Sequence, residues 1–195
     1  FVWQTDTAIA RNSWCYTDSL DYKTLPELVV ALIDAVSNNG NLLLNVGPRA
    51  DGSIADHDRA LLEGIGDWLA ANGAGIYGSR PWRIAHEGPT QQASGMFADQ
   101  TPPAWTAADW RFTTKDGALY CFCLAPAGTR ELVCASLAAF DGTHQPVFNG
   151  TVSAVEQLGA GPVAFRREPD GLHIRPAARP AAQHDLPIGL RITVG

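Results

Sequence analysis

Hydrophobic and polar residues follow two different patterns along the chain, and the change falls near residue 84. Before it, two stretches with apolar residues at helical spacing flank a short, fully apolar run, which is typical of helices alternating with strands. After it, short apolar alternations are separated by Gly, Pro and Asp-Gly pairs, which is typical of antiparallel strands. The pattern predicts two domains, 1–84 and 85–195.

Two helices are predicted in the first domain. Thr24 and Glu27 form a capping box for the first, which ends at Asn39-Gly40. The second begins near Asp56 and ends at Asn72-Gly73. Each has an apolar face, made by Leu25, Leu28, Val29, Leu32, Ile33 and Val36 in the first and by Leu61, Leu62, Ile65, Trp68 and Leu69 in the second.

The run between the helices, 41–47, contains three consecutive leucines and leaves no polar face, as expected of a parallel strand covered on both sides. With a strand at 1–4, residues 1–72 give strand, helix, strand, helix, the right-handed unit of barrels and doubly wound sheets. Two parallel strands cannot complete a sheet. We therefore expect further parallel strands before Phe1.

The second domain is predicted to be an antiparallel β-sandwich of six to eight short strands. Turns at Lys115-Asp116-Gly117 and at Asp170-Gly171 separate apolar alternations, which indicates two hairpins. Its aromatic residues could pack in the core or form a sugar-binding platform, and core packing is favoured at this spacing: Trp105, Trp110, Phe112, Tyr120 and Phe122.

Charge and composition exclude several classes of partner. The 195 residues have a net charge of -6 and no basic stripe, which argues against nucleic acid and anionic membranes as partners. No apolar run approaches the roughly 20 residues of a membrane-spanning helix. The histidines are scattered and predict no metal site: His57, His86, His144, His173 and His184.

Several motifs resemble one family. The run 41–54 (NLLLNVGPRADGSI) is similar to the segment that closes the catalytic barrel of glycoside hydrolase family 29, the α-L-fucosidases. The stretches 65–69 and 76–82 resemble that family's link to its C-terminal domain, and 13–16 (SWCY) resembles its Ser-Trp-Gly-Tyr element. More loosely, three later segments are similar to strands of the family's C-terminal sandwich: 155–159, 170–172 and 190–192.

The resemblance implies an α/β plus all-β fold: the C-terminal part of a (β/α)8-like TIM barrel, then an antiparallel β-sandwich. It implies a retaining glycosidase acting on fucosylated oligosaccharides or glycoconjugates, with no cofactor or metal, in an extracellular or periplasmic location. The family's nucleophilic Asp lies on a middle barrel strand, upstream of residue 1. No catalytic residue can therefore be assigned here, and without the missing N-terminal barrel segment the chain is expected to be inactive.

Four residues are candidates for substrate binding because active sites of such barrels lie at the carboxyl ends of the strands. By resemblance, the Trp14 ring meets the apolar face of fucose; the alternative is packing within its loop. Gln4 stands where many members have a Glu that serves in some as acid/base, and an amide cannot transfer that proton. Gln4 could instead bind a sugar hydroxyl or satisfy neighbouring backbone.

The remaining two candidates also have structural alternatives. Asp6 could be a spare acid or cap its loop, and Asn45 could reach the floor of the site or hold the following turn. A different function for the whole chain is a non-catalytic carbohydrate-binding or interaction module, in which the sandwich binds glycan. A third possibility is a chain that complements a separately encoded N-terminal piece.

Overall fold

In the computed structural model, which describes residues 2–91, 103–143 and 145–195, the N-terminal part of the chain is a parallel strand pair backed by two helices. Strands β1 (Trp3–Ala8) and β2 (Gly40–Asn45) pair in parallel, and helices α1 (Leu25–Ser37) and α2 (Asp56–Asn72) follow them. Both predicted helices and the parallel strand are confirmed. The first strand lies later than expected, at 3–8 instead of 1–4, and Phe1 is outside the described residues.

The start of α1 is fixed as its sequence predicts. The Thr24 hydroxyl accepts a hydrogen bond from the Glu27 amide, and the Glu27 carboxylate accepts one from the Thr24 amide at 2.6 Å. Arg11, from the loop after β1, pairs with the same carboxylate at 2.5 Å. Burial would raise the pKa of Glu27, but the hydrogen bonds from Arg11 and Thr24 lower it. The capping box therefore also anchors the loop.

The second half consists of two antiparallel sheets. One sheet has six strands in the order β3-β4-β5-β11-β7-β8 and the other has three in the order β6-β10-β9. Their bounds are β3 (Arg80–Glu87), β4 (Trp110–Lys115), β5 (Ala118–Cys123), β6 (Leu132–Cys134), β7 (Val152–Gln157), β8 (Gly161–Pro162), β9 (Phe165–Glu168), β10 (Gly171–Ile174) and β11 (Ile188–Val194). Both hairpins are confirmed, and so is the expected number of six to eight strands, because the described residues contain eight strands from Trp110 onward. The predicted boundary at 84 lies inside β3.

The six-stranded sheet is covered on both faces. One face packs on the three-stranded sheet around fully buried side chains such as Trp110 and Phe112. The other packs on α1 and α2, where Phe122 contacts the helix residues Ile33 and Trp68 in one apolar cluster. Four of the five aromatic residues predicted for the core are buried, and Trp105 is partly buried beneath the Arg111 guanidinium.

A buried ion pair joins the two halves. Arg111 on β4 donates through Nε to Asp34 on α1 at 2.5 Å, and the side chains are 6% and 22% exposed, respectively. The same guanidinium lies 5.0 Å from the ring centre of Trp105. The helix layer is therefore held to the sandwich by charge as well as by apolar packing.

Within the described residues β2 is covered on one face only, whereas its leucines predict coverage on both. Leu44 packs with the helix residues Leu28 and Leu61, but Leu43 points the other way and is 53% exposed. Leu62, placed on the apolar face of α2, is also exposed, at 38%. One face of β2 is open because, within the described residues, the helices form the only layer that packs against the strand pair.

The three-stranded sheet contains a charged cluster around His173. Its Nε2 lies 2.9 Å from Asp170 and its Nδ1 lies 3.0 Å from Glu131, which also pairs with Arg166. The hydrogen bonds with Asp170 and then Glu131 raise the pKa of His173, while those from Arg166 and then His173 lower the pKa of Glu131 to about 2. Both carboxylates are therefore ionised wherever His173 titrates.

Stability is expected to depend on pH through His173. Because the pKa of His173 is raised in the folded state, protonated His173 contributes to the free energy of unfolding. This contribution is complete at pH values below the unfolded-state pKa of about 6.5 and is lost as the pH rises through the folded-state pKa. His173→Gln should therefore lower the urea midpoint more at about pH 5.5 than at about pH 8.5. The exposed His86 offers a matched control in His86→Gln. An equal loss at both pH values for His173→Gln would contradict this role.

Candidate functional site

The open face of the β1–β2 pair carries three of the four predicted site residues. Side chains alternate along a strand and paired residues share a face. Since Leu44 faces the helices, Leu43 and Asn45 face outward, as do their partners Asp6 and Ala8. Gln4 lies on the same outward face, paired with Asn41. The structure thus brings Gln4, Asp6 and Asn45 together on one surface.

Gln4 was expected as the last residue of its strand and Asp6 just beyond its end, and both positions are wrong. Strand β1 continues to Ala8, so both residues lie within it, and both are exposed. The Thr5-Asp6-Thr7 segment is polar and resembles a loop in sequence, yet its residues pair in register with the leucines of β2. Asp6 therefore occupies a strand position, where it does not cap a loop.

Asn45 and Trp14 meet at the carboxyl end of the strand pair. The Asn45 side-chain amide donates a hydrogen bond to the Trp14 carbonyl oxygen at 2.7 Å, and the Asn45 backbone carbonyl accepts one from the Ile9 backbone amide at 3.0 Å. Asn45 thus fixes the loop after β1 to the end of β2. This contact joins residues 31 positions apart, so the spacing of the sequence gave no sign of it.

The Trp14 ring is presented to solvent. The side chain is 50% exposed, and no aromatic ring or cation of the described residues stacks on it. The Ser13 hydroxyl bonds both the amide and the carbonyl of Cys15, which tightens the turn around Trp14. A half-exposed indole on a tied loop is suited to stacking on an apolar ligand face.

The loop after β2 supports the Trp14 loop through contacts that the sequence did not predict. A Cβ at Gly47 would lie 2.5 Å from the Tyr16 amide nitrogen, so the backbones approach more closely than any other residue allows. The Arg49 guanidinium lies 5.2 Å from the centre of the Tyr16 ring. Glycine at 47 is therefore a packing requirement between the two loops.

Polar groups are also buried beneath the loops. The Lys23 ammonium donates to the Thr7 hydroxyl on the helix-facing side of β1, and both residues are buried. Burial and then the Asp58 carboxylate raise the pKa of Tyr22 to about 12, so its hydroxyl stays protonated at neutral pH. These residues support the site from the helix side and do not reach the open face.

The open face lacks a pair of catalytic carboxylates. Asp6 is the one acidic residue among its six outward positions on β1 and β2. Across residues 2–91, 103–143 and 145–195, no three His, Cys, Asp or Glu residues come together as metal ligands. No helix in that part of the chain is long and apolar enough to span a bilayer. The surface can bind a polar ligand against Trp14. It supplies one carboxylate, Asp6, whereas a two-carboxylate mechanism needs two.

The sequence of the chain is similar to those of α-L-fucosidases. Residues 1–74 match the family model for α-L-fucosidase. The chain is 39% identical to mouse tissue α-L-fucosidase over 88 residues, which are 44% of this chain and 20% of that enzyme. It is 36% identical to α-L-fucosidase of Branchiostoma floridae over 112 residues, or 55% of this chain and 24% of the relative. The first part of the chain is therefore similar to α-L-fucosidases, and the chain spans about a quarter or less of the length of these relatives.

Solved structures extend the similarity across the second half. Thermotoga maritima α-fucosidase in complex with fucose is 25% identical, with a TM-score of 0.71 over 98% of this chain and 39% of that one. α-L-Fucosidase isoenzyme 1 from Paenibacillus thiaminolyticus is 26% identical, with a TM-score of 0.70 over 100% of this chain and 40% of that one. The chain thus corresponds to a C-terminal portion of α-L-fucosidases and spans about two fifths of these structures.

Proposed function

We propose that the chain supplies the last two strands of a (β/α)8-like catalytic barrel and the β-sandwich that follows it. Residues 1–84 would form the barrel part and residues 85–195 the second domain. The whole enzyme would remove terminal α-L-fucose from oligosaccharides or glycoconjugates. The observation that carries this proposal is the β1–β2 pair, parallel and packed on helices on one side, with polar residues on its open face.

The open face would line the barrel interior. Each of β1 and β2 pairs with one neighbour in the described residues, so each has an edge available for another strand. Leu43, exposed here, would then become covered by strands from the N-terminal barrel segment. Active sites in such barrels lie at the carboxyl ends of strands, which is where Asn45 and the Trp14 loop meet.

Three of the four candidate residues have a binding role consistent with their position. Trp14 would stack on the apolar face of fucose, while Gln4 and Asn45 would bind hydroxyl groups or hold the loops that do so. A retaining glycosidase needs two carboxyl groups about 5–5.5 Å apart, one of which is the nucleophile. With Asp6 alone on the open face, the nucleophile would come from a strand upstream of residue 1, and the isolated chain would be inactive.

A chimera tests the proposal. Fusing residues 1–195 behind the N-terminal barrel portion of the Paenibacillus enzyme replaces the part of that enzyme to which the whole chain is similar. The chimera is expected to hydrolyse 4-nitrophenyl α-L-fucoside, whereas the isolated chain and the isolated barrel portion should not. Circular dichroism would verify that all three are folded. Clear turnover by the purified 195-residue chain would contradict the proposal.

A further inference from the structure

A concave site lies at one end of the sandwich, about 500 Å³ in volume, within the range of roughly 300–1,000 Å³ typical of ligand pockets. We call it the end pocket. Its walls come from the start of β3, the β4–β5 turn and the end of β11, and six side chains matter here: Arg80, Trp82, Lys115, Asp116, Phe148 and Val194.

The end pocket is remote from the candidate fucose site. Helix α2 begins at Asp56, just after the loop that carries Arg49, and its 17 residues span about 25 Å. Two turns, closed by hydrogen bonds from Tyr77 to Gly73 and from Ser79 to Ile76, then keep Arg80 near the far end of that helix. The pocket and Trp14 therefore lie near opposite ends of α2. One sugar ring cannot contact both.

A large bulge in β3 places Trp82 at the pocket. Pro81 pairs with Thr113 and His86 with Arg111, so the four residues 82–85 of β3 lie opposite Phe112 alone. The displaced Trp82 ring packs 5.2 Å from the Phe112 ring and 6.4 Å from the Phe148 ring, between centres. The Trp82 and Phe148 rings give the pocket an apolar wall, and the buried Phe112 ring supports Trp82 from behind.

Arg167 holds the Phe148 side of that wall. Its guanidinium donates hydrogen bonds to four carbonyl oxygens, including that of Phe148 at 2.6 Å, and lies 5.3 Å from the centre of the Phe148 ring. Arg167 therefore fastens the backbone at Leu137 and at Gly150 to β9. The wall is preorganised, which reduces the entropy lost when a ligand binds.

The charges at the pocket favour an anion. Arg80 bonds the Ser79 carbonyl at 3.0 Å and Lys115 bonds the Tyr77 carbonyl at 2.7 Å. In the described part of the chain, neither cation pairs with a carboxylate. Guanidinium and ammonium groups have several donors each, so both retain donors for a ligand. Two unpaired cations beside one carboxylate, Asp116, stand out in a chain with a net charge of -6.

Asp116 limits the kind of anion. Its carboxylate can accept hydrogen bonds from ligand hydroxyls, but it repels a ligand with several negative charges. The apolar wall favours a ring with a hydrocarbon face. We propose that the end pocket is a non-catalytic site for a sugar with a single carboxylate, such as a hexuronic acid, whose carboxylate binds Arg80 and Lys115 and whose ring lies against Trp82.

The site is tested on the isolated 195-residue chain by titration with D-glucuronate, D-glucose and inorganic phosphate, read from the tryptophan indole signals in ¹⁵N NMR. Trp82→Phe identifies the Trp82 signal. D-Glucuronate is expected to shift that signal and leave Trp14 unchanged, and to bind at least about tenfold more tightly than D-glucose, since one charge-assisted hydrogen bond is worth at least this much. Arg80→Gln and Lys115→Gln should each weaken D-glucuronate binding about tenfold or more.

The matched control is Arg59→Gln, which removes the same charge from an exposed position on α2 and should leave the affinity unchanged. The proposal is overturned if D-glucuronate does not move the Trp82 signal or if D-glucose binds as tightly. It is also overturned if phosphate produces the same response as D-glucuronate, since the pocket would then be a simple anion site. Because the test uses neither fucose nor turnover, its failure is distinguishable from failure of the proposed fucosidase function.

Discussion

Trp14→Ala in the active chimera is expected to raise KM for 4-nitrophenyl α-L-fucoside about 30-fold, corresponding to about 2 kcal/mol of lost stacking on the sugar. The ring is half-exposed on a loop held by Asn45, so its removal should not unfold the protein. Steady-state kinetics with a thermal melt would separate binding from stability. Trp14→Phe keeps an aromatic face and should stay within about threefold of the parent.

Leu62→Ala provides a second control for that measurement. Leu62 is an exposed apolar residue on α2, so its truncation should change KM little. If Trp14→Ala left kcat/KM at the level of Leu62→Ala, the ring would not contact the sugar. Packing within the loop would then be its whole role.

Asp34→Ala is expected to lower the free energy of unfolding by about 3 kcal/mol, because it leaves the Arg111 guanidinium buried without its carboxylate. Asp34 is partly exposed, which places the expected loss at the low end of the range for buried pairs. Urea unfolding of the isolated chain measures the effect. Asp34→Ala combined with Arg111→Met should recover part of the loss, since the uncompensated charge is then removed as well.

Glu156→Ala is the matched control for Asp34→Ala. Glu156 pairs with Arg191 across neighbouring strands, but both side chains are over a third exposed, so its loss should cost less than about 1 kcal/mol. An Asp34→Ala cost no larger than that of Glu156→Ala would mean that the helices are held to the sandwich by apolar packing alone.

The elements that could be predicted are those specified by neighbouring residues. The Thr24–Glu27 capping box fixed the start of α1, and the Asp116-Gly117 turn, with both residues at positive φ, fixed the β4–β5 hairpin. The three leucines of β2 correctly indicated a parallel strand. Each signal acts within a few residues, where local propensity and backbone geometry decide the outcome.

The features that could not be predicted depend on residues distant in sequence. Strand β1 extends through a polar Thr-Asp-Thr segment because β2 supplies its hydrogen bonds. Strand β5 is buried on both faces because α1 and α2 cover the sheet, which its antiparallel pairing alone does not require. At the site, residue types and resemblance indicated Trp14, Gln4, Asp6 and Asn45, but the Asn45–Trp14 contact and the close approach at Gly47 join residues about 31 positions apart and leave no local signal.

A titration of the chimera with L-fucose, read from tryptophan indole signals in ¹⁵N NMR, tests most directly whether the open face of β1 and β2 belongs to a fucose site. We expect the Trp14 signal, identified with Trp14→Phe, to shift with L-fucose and not with its mirror image D-fucose. The signals of Trp82, Trp105 and Trp110 in the sandwich should stay in place. Shifts confined to the sandwich tryptophans, with Trp14 unchanged, would contradict the account.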